Sequence, residues 1–293
     1  MDFARCGCFV WCVVVGSALS GCDANRVATS APPISGAPPH RIVSLAPNLT
    51  EILLYLGAGE RLVGVTRHCE EAPATIARVG DLLQPDFERM VTLKPDLVIG
   101  IASQQQHELF AALRRRGIQV ELFGGESVAE LRTAVRELGT RVAAEARATE
   151  YLARLDQALA PRRAASTAAT RPPSVLFVVN RDPLWVAGGA SFVTELLRAA
   201  GAESVYQDAA RPWLQVDLED VVARDPDFIV DTTLGSIATS PAGPAGAAQQ
   251  TWARFATHLR AVRDGRVYAF PPVRAGIHVP EWVADLAALL ERR

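Results

Sequence analysis

The 293-residue sequence has no surplus of charge of either sign: 30 Lys and Arg stand against 32 Asp and Glu, for a formal charge of -2. A chain without a basic field has nothing to hold a polyanion, which excludes nucleic acid as a partner. Histidine is scarce as well. The five residues His40, His68, His107, His258 and His278 are scattered and do not supply the roughly four N or S ligands of a protein zinc cage. Signatures of enzymes are missing too. There is no G-x-S-x-G elbow and no P-loop, and Gly57-Ala58-Gly59 does not continue into a dinucleotide loop because Leu62 takes the sixth position. Nothing in the sequence pairs two carboxylates at a cleft turn, so glycosidase chemistry is not supported, and an enzyme is not expected. What is present is a globular composition, 49% hydrophobic and 21% charged, in a chain long enough for two domains.

Usable cysteine is short. Residues 1–21 have an n-region with Arg5, an apolar run through Phe9, Val10, Trp11 and Val13 to Val15, and then small residues, which is a secretory signal too short to span a membrane. Cys6, Cys8 and Cys12 leave with it. Leu19-Ser20-Gly21-Cys22 resembles the lipobox of bacterial lipoproteins, which implies that Cys22 carries lipid and becomes the mature N-terminus. Only Cys69 then remains, so no internal disulfide can form. Residues 22–39, rich in Ala, Ser and Pro, read as a flexible tether. The expected location is the periplasmic or cell-surface face of a bacterial membrane, held by the lipid.

Residues 127–165 read as a connector helix. Ser127 and Glu130 form an S-x-x-E capping box, an apolar stripe runs from Val128 through Val142 to Leu152, Leu155 and Leu159, and Pro161 ends it. At ~1.5 Å per residue one unbroken helix would be roughly 50 Å long, enough to tie two lobes together. Glu145, Ala146 and Thr149 interrupt any heptad seam, which argues against a coiled coil.

On either side of the connector the same grammar appears twice. Strands near 41–45, 62–65 and 97–99 alternate with helices in residues 40–126, and residues 166–293 repeat the alternation, which predicts α/β lobes with largely parallel sheets. Leu49-Thr50-Glu51-Ile52-Leu53 is echoed by Val193-Thr194-Glu195-Leu196-Leu197, and Gly57-Ala58 by Gly201-Ala202. Pro85-Asp86-Phe87-Glu88 is echoed by Val216-Asp217-Leu218-Glu219, and Pro95-Asp96-Leu97 by Pro226-Asp227-Phe228. Such an internal repeat predicts two similar lobes with a ligand cleft between them. Asn48 or Thr50 is expected to cap the first helix, and Gly57 and Gly59 to end it. The cleft floor should hold Pro47 and Asn48, the turn at His68, residues 80–84 with Leu82, Ile101, Trp185, Trp213, and the loop 273–278. Trp185 and Trp213 stand on turns beside proline, where large flat side chains suit a flat or apolar ligand. Residues 235–250, rich in Gly, Pro and Ala, read as a long flexible insertion.

Arg41-Ile42-Val43-Ser44-Leu45-Ala46-Pro47-Asn48-Leu49-Thr50-Glu51, Val63-Gly64-Val65, Phe87-Glu88-Arg89, Leu93-Lys94-Pro95-Asp96-Leu97-Val98-Ile99 and Arg211-Pro212-Trp213 resemble the substrate-binding proteins of ABC importers for vitamin B12, haem and iron siderophores. The resemblance implies two α/β lobes on one backbone helix and a monomer with no intrinsic cofactor, binding its ligand reversibly. By spacing it is nearest to the vitamin B12 branch, which implies a corrinoid ligand, with haem or a ferric siderophore as the alternative. In that branch a tyrosine occupies the turn of His68, aromatics occupy the positions of Trp185 and Trp213, and tryptophans stand where Leu82 and Ile101 stand here. The resemblance further implies docking on an ABC permease dimer through one glutamate per lobe, Glu88 and Glu219. His68 and His278 come from opposite lobes, and either would be an axial contact to the metal of a bound cofactor.

Overall fold

The computed structural model describes residues 37–81, 83–102, 106–160, 171–234, 243–255 and 257–291. The signal segment, Cys22, Leu82 and residues 235–242 lie outside them.

The first lobe contains β1 (Ile42–Ser44), α1 (Pro47–Tyr55), β2 (Leu62–Val65), β3 (Ala77–Arg78), α2 (Phe87–Thr92), β4 (Leu97–Ile101), α3 (His107–Arg115) and β5 (Gln119–Phe123). Its five strands lie in the order β3-β2-β1-β4-β5, and every pairing is parallel. A parallel sheet needs cover on both faces. Ile42, Leu97 and Ile99 face α1 and the connector, while Val43, Leu45 and Val98 pack against Met90, Phe110 and Leu113 of α2 and α3.

Two helices, α4 (Val128–Arg141) and α5 (Glu145–Leu159), follow where one was expected. The capping box forms at the start: Ser127 Oγ accepts from Glu130 N–H at 3.1 Å, and the Glu130 carboxylate reaches back to Glu126 N–H at 2.8 Å. Ala143, at φ +56°, then turns the chain, and Ala144 N–H donates to Gly139 C=O at 2.7 Å in a Schellman closure. The helices fold back on each other. Gly139 lies against Ala148, so close that a Cβ on Gly139 would come within 2.5 Å of the Ala148 Cβ, and Arg132 pairs with Asp156. The small residues in the middle of the stripe are therefore a helix crossing and not a weak stretch of one rod.

The second lobe contains β6 (Ser174–Arg181), β7 (Leu184–Ala187), α6 (Phe192–Ala199), β8 (Glu203–Ser204), β9 (Trp213–Gln215), α7 (Leu218–Arg224), β10 (Phe228–Asp231), α8 (Gly243–Trp252), α9 (Arg260–Arg263), β11 (Val267–Ala269) and α10 (Val279–Leu290). Its sheet runs β11-β10-β6-β7-β9, with β8 also beside β6. The partners β10, β11 and β8 are parallel, whereas β7 and β9 add an antiparallel edge. Much of the expected insertion is helical: α8 begins at Gly243, and Pro244 lies in its first turn, where a missing N–H costs nothing.

The repeat seen in the sequence performs the same work in both lobes. The Asp96 carboxylate accepts from His40 and Arg41 N–H at 2.8 and 3.0 Å, and that of Asp227 accepts from Ser174 N–H at 2.9 Å, so each clamps the start of its lobe's first strand. Gly57 and Gly201, at φ +82° and +87°, end α1 and α6 in the left-handed conformation that glycine adopts freely. One apolar core continues from Ile42 and Leu97 through Tyr151 and Leu155 of α5 to Phe177 and Trp282 of the second lobe. The lobes are thus joined by packed side chains as well as by the chain.

Candidate functional site

The lobes meet at the C-terminal ends of their strands. α1 starts directly after β1, with Ala46 at the N-cap and Pro47 in the first turn, and no side chain caps it. The expected capping residues have other partners. Thr50 Oγ1 donates within its own lobe, to Ser44 Oγ at 2.8 Å or to Ala46 C=O at 3.1 Å. Asn48 is 9% exposed and its Nδ2 donates across to Ala275 C=O of the second lobe at 3.2 Å.

The segment 271–278 makes further contacts across the lobes, as a clasp between them. Gly276 packs on α1 so tightly that a Cβ would lie 2.6 Å from Glu51 Oε2, and its carbonyl accepts from the Tyr151 hydroxyl at 2.9 Å. Arg274 Nε stands 3.6 Å from Glu51 Oε1, and His278 Nε2 stands 2.8 Å from Glu71 Oε1. Burial strips water from Glu51 and raises its pKa, with Arg274 opposing the rise. Tyr151, buried and held to that carbonyl, also has its pKa raised, first by desolvation.

Ile101, half-buried at the end of β4, shares the surroundings of Gly125 with Asn48. His68 is exposed on the turn after β2, and its Nε2 is 3.1 Å from Asp81 Oδ1, which also pairs with Arg67. His68 and His278 each have a carboxylate partner of their own and are not paired with each other. In the second lobe Trp185 pairs with Gln215 and Trp213 with Ala187, so both indoles project from one face of the β7–β9 edge as diagonal neighbours. Trp213 is half-buried and meets Phe192 edge to face at 6.5 Å. The edge is brought in tightly, since Gly188 N–H donates to Pro212 C=O at 2.9 Å and a Cβ on Gly188 would lie 2.2 Å from Arg211 C=O.

Two features were not anticipated. Leu83, next to Leu82, is 71% exposed on the segment before α2. The signal for it was two adjacent leucines in a turn otherwise bounded by Gly80 and Pro85. The second is a cavity of about 740 Å³ in the second lobe, beside the C-terminal ends of β6 and β10, lined among others by Asn180, Arg181, Thr233, Trp252 and Arg254. The expected contacts Pro47, Asn48, His68, Ile101, Trp185 and Trp213 do not line it. Its floor is ordered by Asp231, fully buried, which accepts from Trp252 Nε1 at 2.9 Å and from Thr233 Oγ1 at 2.6 Å. Trp252 lies on α8, inside or next to a stretch that its composition disguised as loop.

Glu88 and Glu219 are exposed in the first turns of α2 and α7, at matching places in the two lobes. Asp86 caps its helix by accepting from Arg89 N–H at 3.0 Å, while Asp217 occupies the N-cap with no side-chain bond. Negative charge at a helix N-terminus gains about 0.3–1 kcal/mol, so both glutamates are tolerated there.

Residues 42–273 match the family described as "Periplasmic binding protein". The chain is 30% identical over 260 residues to the uncharacterized ABC transporter substrate-binding lipoprotein YvrC of Bacillus subtilis, covering 85% of this chain and 79% of that protein. It is 26% identical over 198 residues to the vitamin B12-binding protein of Pectobacterium atrosepticum, covering 66% and 71%. Among solved structures it is similar to a periplasmic heme binding protein from Pseudomonas aeruginosa, with a TM-score of 0.70, 26% identity, and coverage of 86% and 92%. Two α/β lobes on a helical connector, a repeat that places equivalent residues in each lobe, and a match over most of its length all agree that the chain belongs to the periplasmic binding protein family, the substrate-binding components of ABC importers.

Proposed function

We propose that this protein captures a corrinoid between its lobes and delivers it to an ABC permease dimer, working as a monomer that lipid on Cys22 holds to the periplasmic or cell-surface face of a bacterial membrane. The observation that carries the ligand is the pair of indoles, Trp185 and Trp213, projecting from one face of the second lobe's edge. Planar aromatic surface of this kind buries a broad, flat ligand at low cost in side-chain entropy. The vitamin B12-binding relative supports the same ligand.

Pro47, Asn48 and Ile101 supply the opposite wall, with His68 and the segment containing Leu82 at its margin. Binding makes and breaks no covalent bond. Because the shared core and the clasp hold the lobes together, little ordering remains to oppose capture. Glu88 and Glu219, one per lobe and exposed, present two carboxylates to arginines of the permease, which suits bidentate pairing.

A second reading, haem or a ferric siderophore, rests on the likeness to the heme binding protein of Pseudomonas aeruginosa. In that case His68 or His278 is an axial contact to the iron. Calorimetric titration of the purified chain with cyanocobalamin and haemin separates the readings. Saturable binding of cyanocobalamin alone is expected; binding of haemin alone, with an absorbance change lost in His68→Ala or His278→Ala, replaces the first reading with the second.

A further inference from the structure

Glu51, Glu71 and His278 bring two carboxylate oxygens and one imidazole nitrogen to within 4.8 Å of one another. Glu51 and Glu71 belong to the first lobe and His278 to the second. His278 Nε2 and Glu71 Oε1 are already 2.8 Å apart. The third member is unusual in its surroundings. The Glu51 side chain is only 5% exposed, yet among the described residues its carboxylate accepts no hydrogen bond. Its nearest cation, Arg274 Nε at 3.6 Å, is beyond hydrogen-bond reach, and Arg274 is itself 59% exposed and able to turn to water. Buried carboxylates are nearly always given hydrogen-bond donors as well as a cation, and among the described residues Glu51 has the ion pair with Arg274 alone. The backbone of Gly276 lies against the carboxylate without donating to it.

We propose that Glu51, Glu71 and His278 form a site for a divalent transition metal that bridges the two lobes. The donor set of two oxygens and one nitrogen suits Zn²⁺ or Mn²⁺, with water completing the shell. Bonds of about 2.1 Å place tetrahedral ligands about 3.4 Å apart, so the widest pair closes by up to about 1.4 Å from the spacing of 4.8 Å. Turning the two exposed side chains, Glu71 and His278, supplies that movement. An ion held this way joins α1 to the segment ahead of α10 and sets the spacing of the lobes. The site is compatible with a corrinoid in the cleft, whereas a haem held axially by His278 would exclude it.

The test is calorimetric titration of the chelator-treated full chain with Zn²⁺ and, separately, Mn²⁺. One equivalent is expected to bind, and because outer-shell changes alone cost 10–100-fold, removal of a ligand in Glu71→Gln or His278→Ala should weaken affinity by at least about 100-fold, with His258→Ala unchanged. Zn²⁺ should raise the melting temperature of the unaltered chain and not that of His278→Ala. Glu51→Gln should behave as the other two do; if it does not fold, the exposed pair decides. No stoichiometric binding, or equal affinity in Glu71→Gln, His278→Ala and the unaltered chain, would overturn the proposal.

Discussion

The two lobes are built on one plan but spend it differently. In the first, all five strands are parallel and β1 leads directly into α1. In the second, the β6–β7 hairpin intervenes before α6, so β8 pairs only with the start of β6 and the rest of that edge belongs to β7 and β9. What the lobes share is scaffold: the aspartate that clamps the first strand, the threonine that donates back at the start of the first helix, the glycine that ends it, and the exposed glutamate on the next helix. What differs lies at the cleft edge, where the second lobe alone carries the two indoles. The difference teaches that the edge of the second sheet is free to diverge while strand clamps and helix ends are kept.

The comparison is broken most directly at the shared glutamates. Reversing both charges, Glu88→Arg with Glu219→Arg, is expected to lower permease-dependent uptake by more than about tenfold while leaving ligand affinity unchanged, and each single reversal to give an intermediate loss. Uptake that is unaffected by the double change would deny the lobes their equivalent roles.

The clamping aspartates should separate by a smaller margin. Asp96 is exposed, whereas Asp227 is 14% exposed and also pairs with Arg260 at 2.7 Å and Arg171 at 3.1 Å. Asp227→Ala should cost about 2–4 kcal/mol in urea unfolding and Asp96→Ala about 1 kcal/mol. Burial alone would raise the pKa of Asp227, but the Ser174 N–H and hydroxyl and the two arginines overrule it and hold the pKa below 3.8. The folded value is thus lower than the unfolded one, so this contribution is complete above about pH 4 and is lost as pH falls below it toward the folded value. The difference in stability between the Asp227→Ala and unaltered chains should shrink over that acid range; a gap that is constant with pH would contradict it. The smallest effect should be an equal one: Gly57→Ala and Gly201→Ala each force a side chain into the left-handed region, at about 1 kcal/mol apiece in thermal unfolding.

Much of this was legible because it is local or repeated. The capping box at Ser127, the glycine stop at Gly57, the alternation of strand and helix, and the two-lobe repeat each follow from residues close together in the chain. The break between α4 and α5 was not legible, since Ala143 holds a conformation that sequence assigns to glycine, and the crossing of Gly139 with Ala148 looks like weak periodicity. The clasp was hidden for another reason. Asn48 and Ala275 are 227 positions apart, and nothing in residues 271–278 announces that they hold the first lobe. The helix α8 was concealed by its Gly and Pro, and with it the place of Trp252 beside the cavity.

The claim that a flat ligand lies against the second lobe's edge is tested most directly by tryptophan fluorescence during titration with cyanocobalamin, in the unaltered chain and in Trp185→Ala and Trp213→Ala. Saturable quenching in the unaltered chain, with affinity reduced by about tenfold or more in each variant, is the predicted result. Equal affinity in all three chains would place the ligand elsewhere, and the absence of any response to cyanocobalamin would contradict the corrinoid.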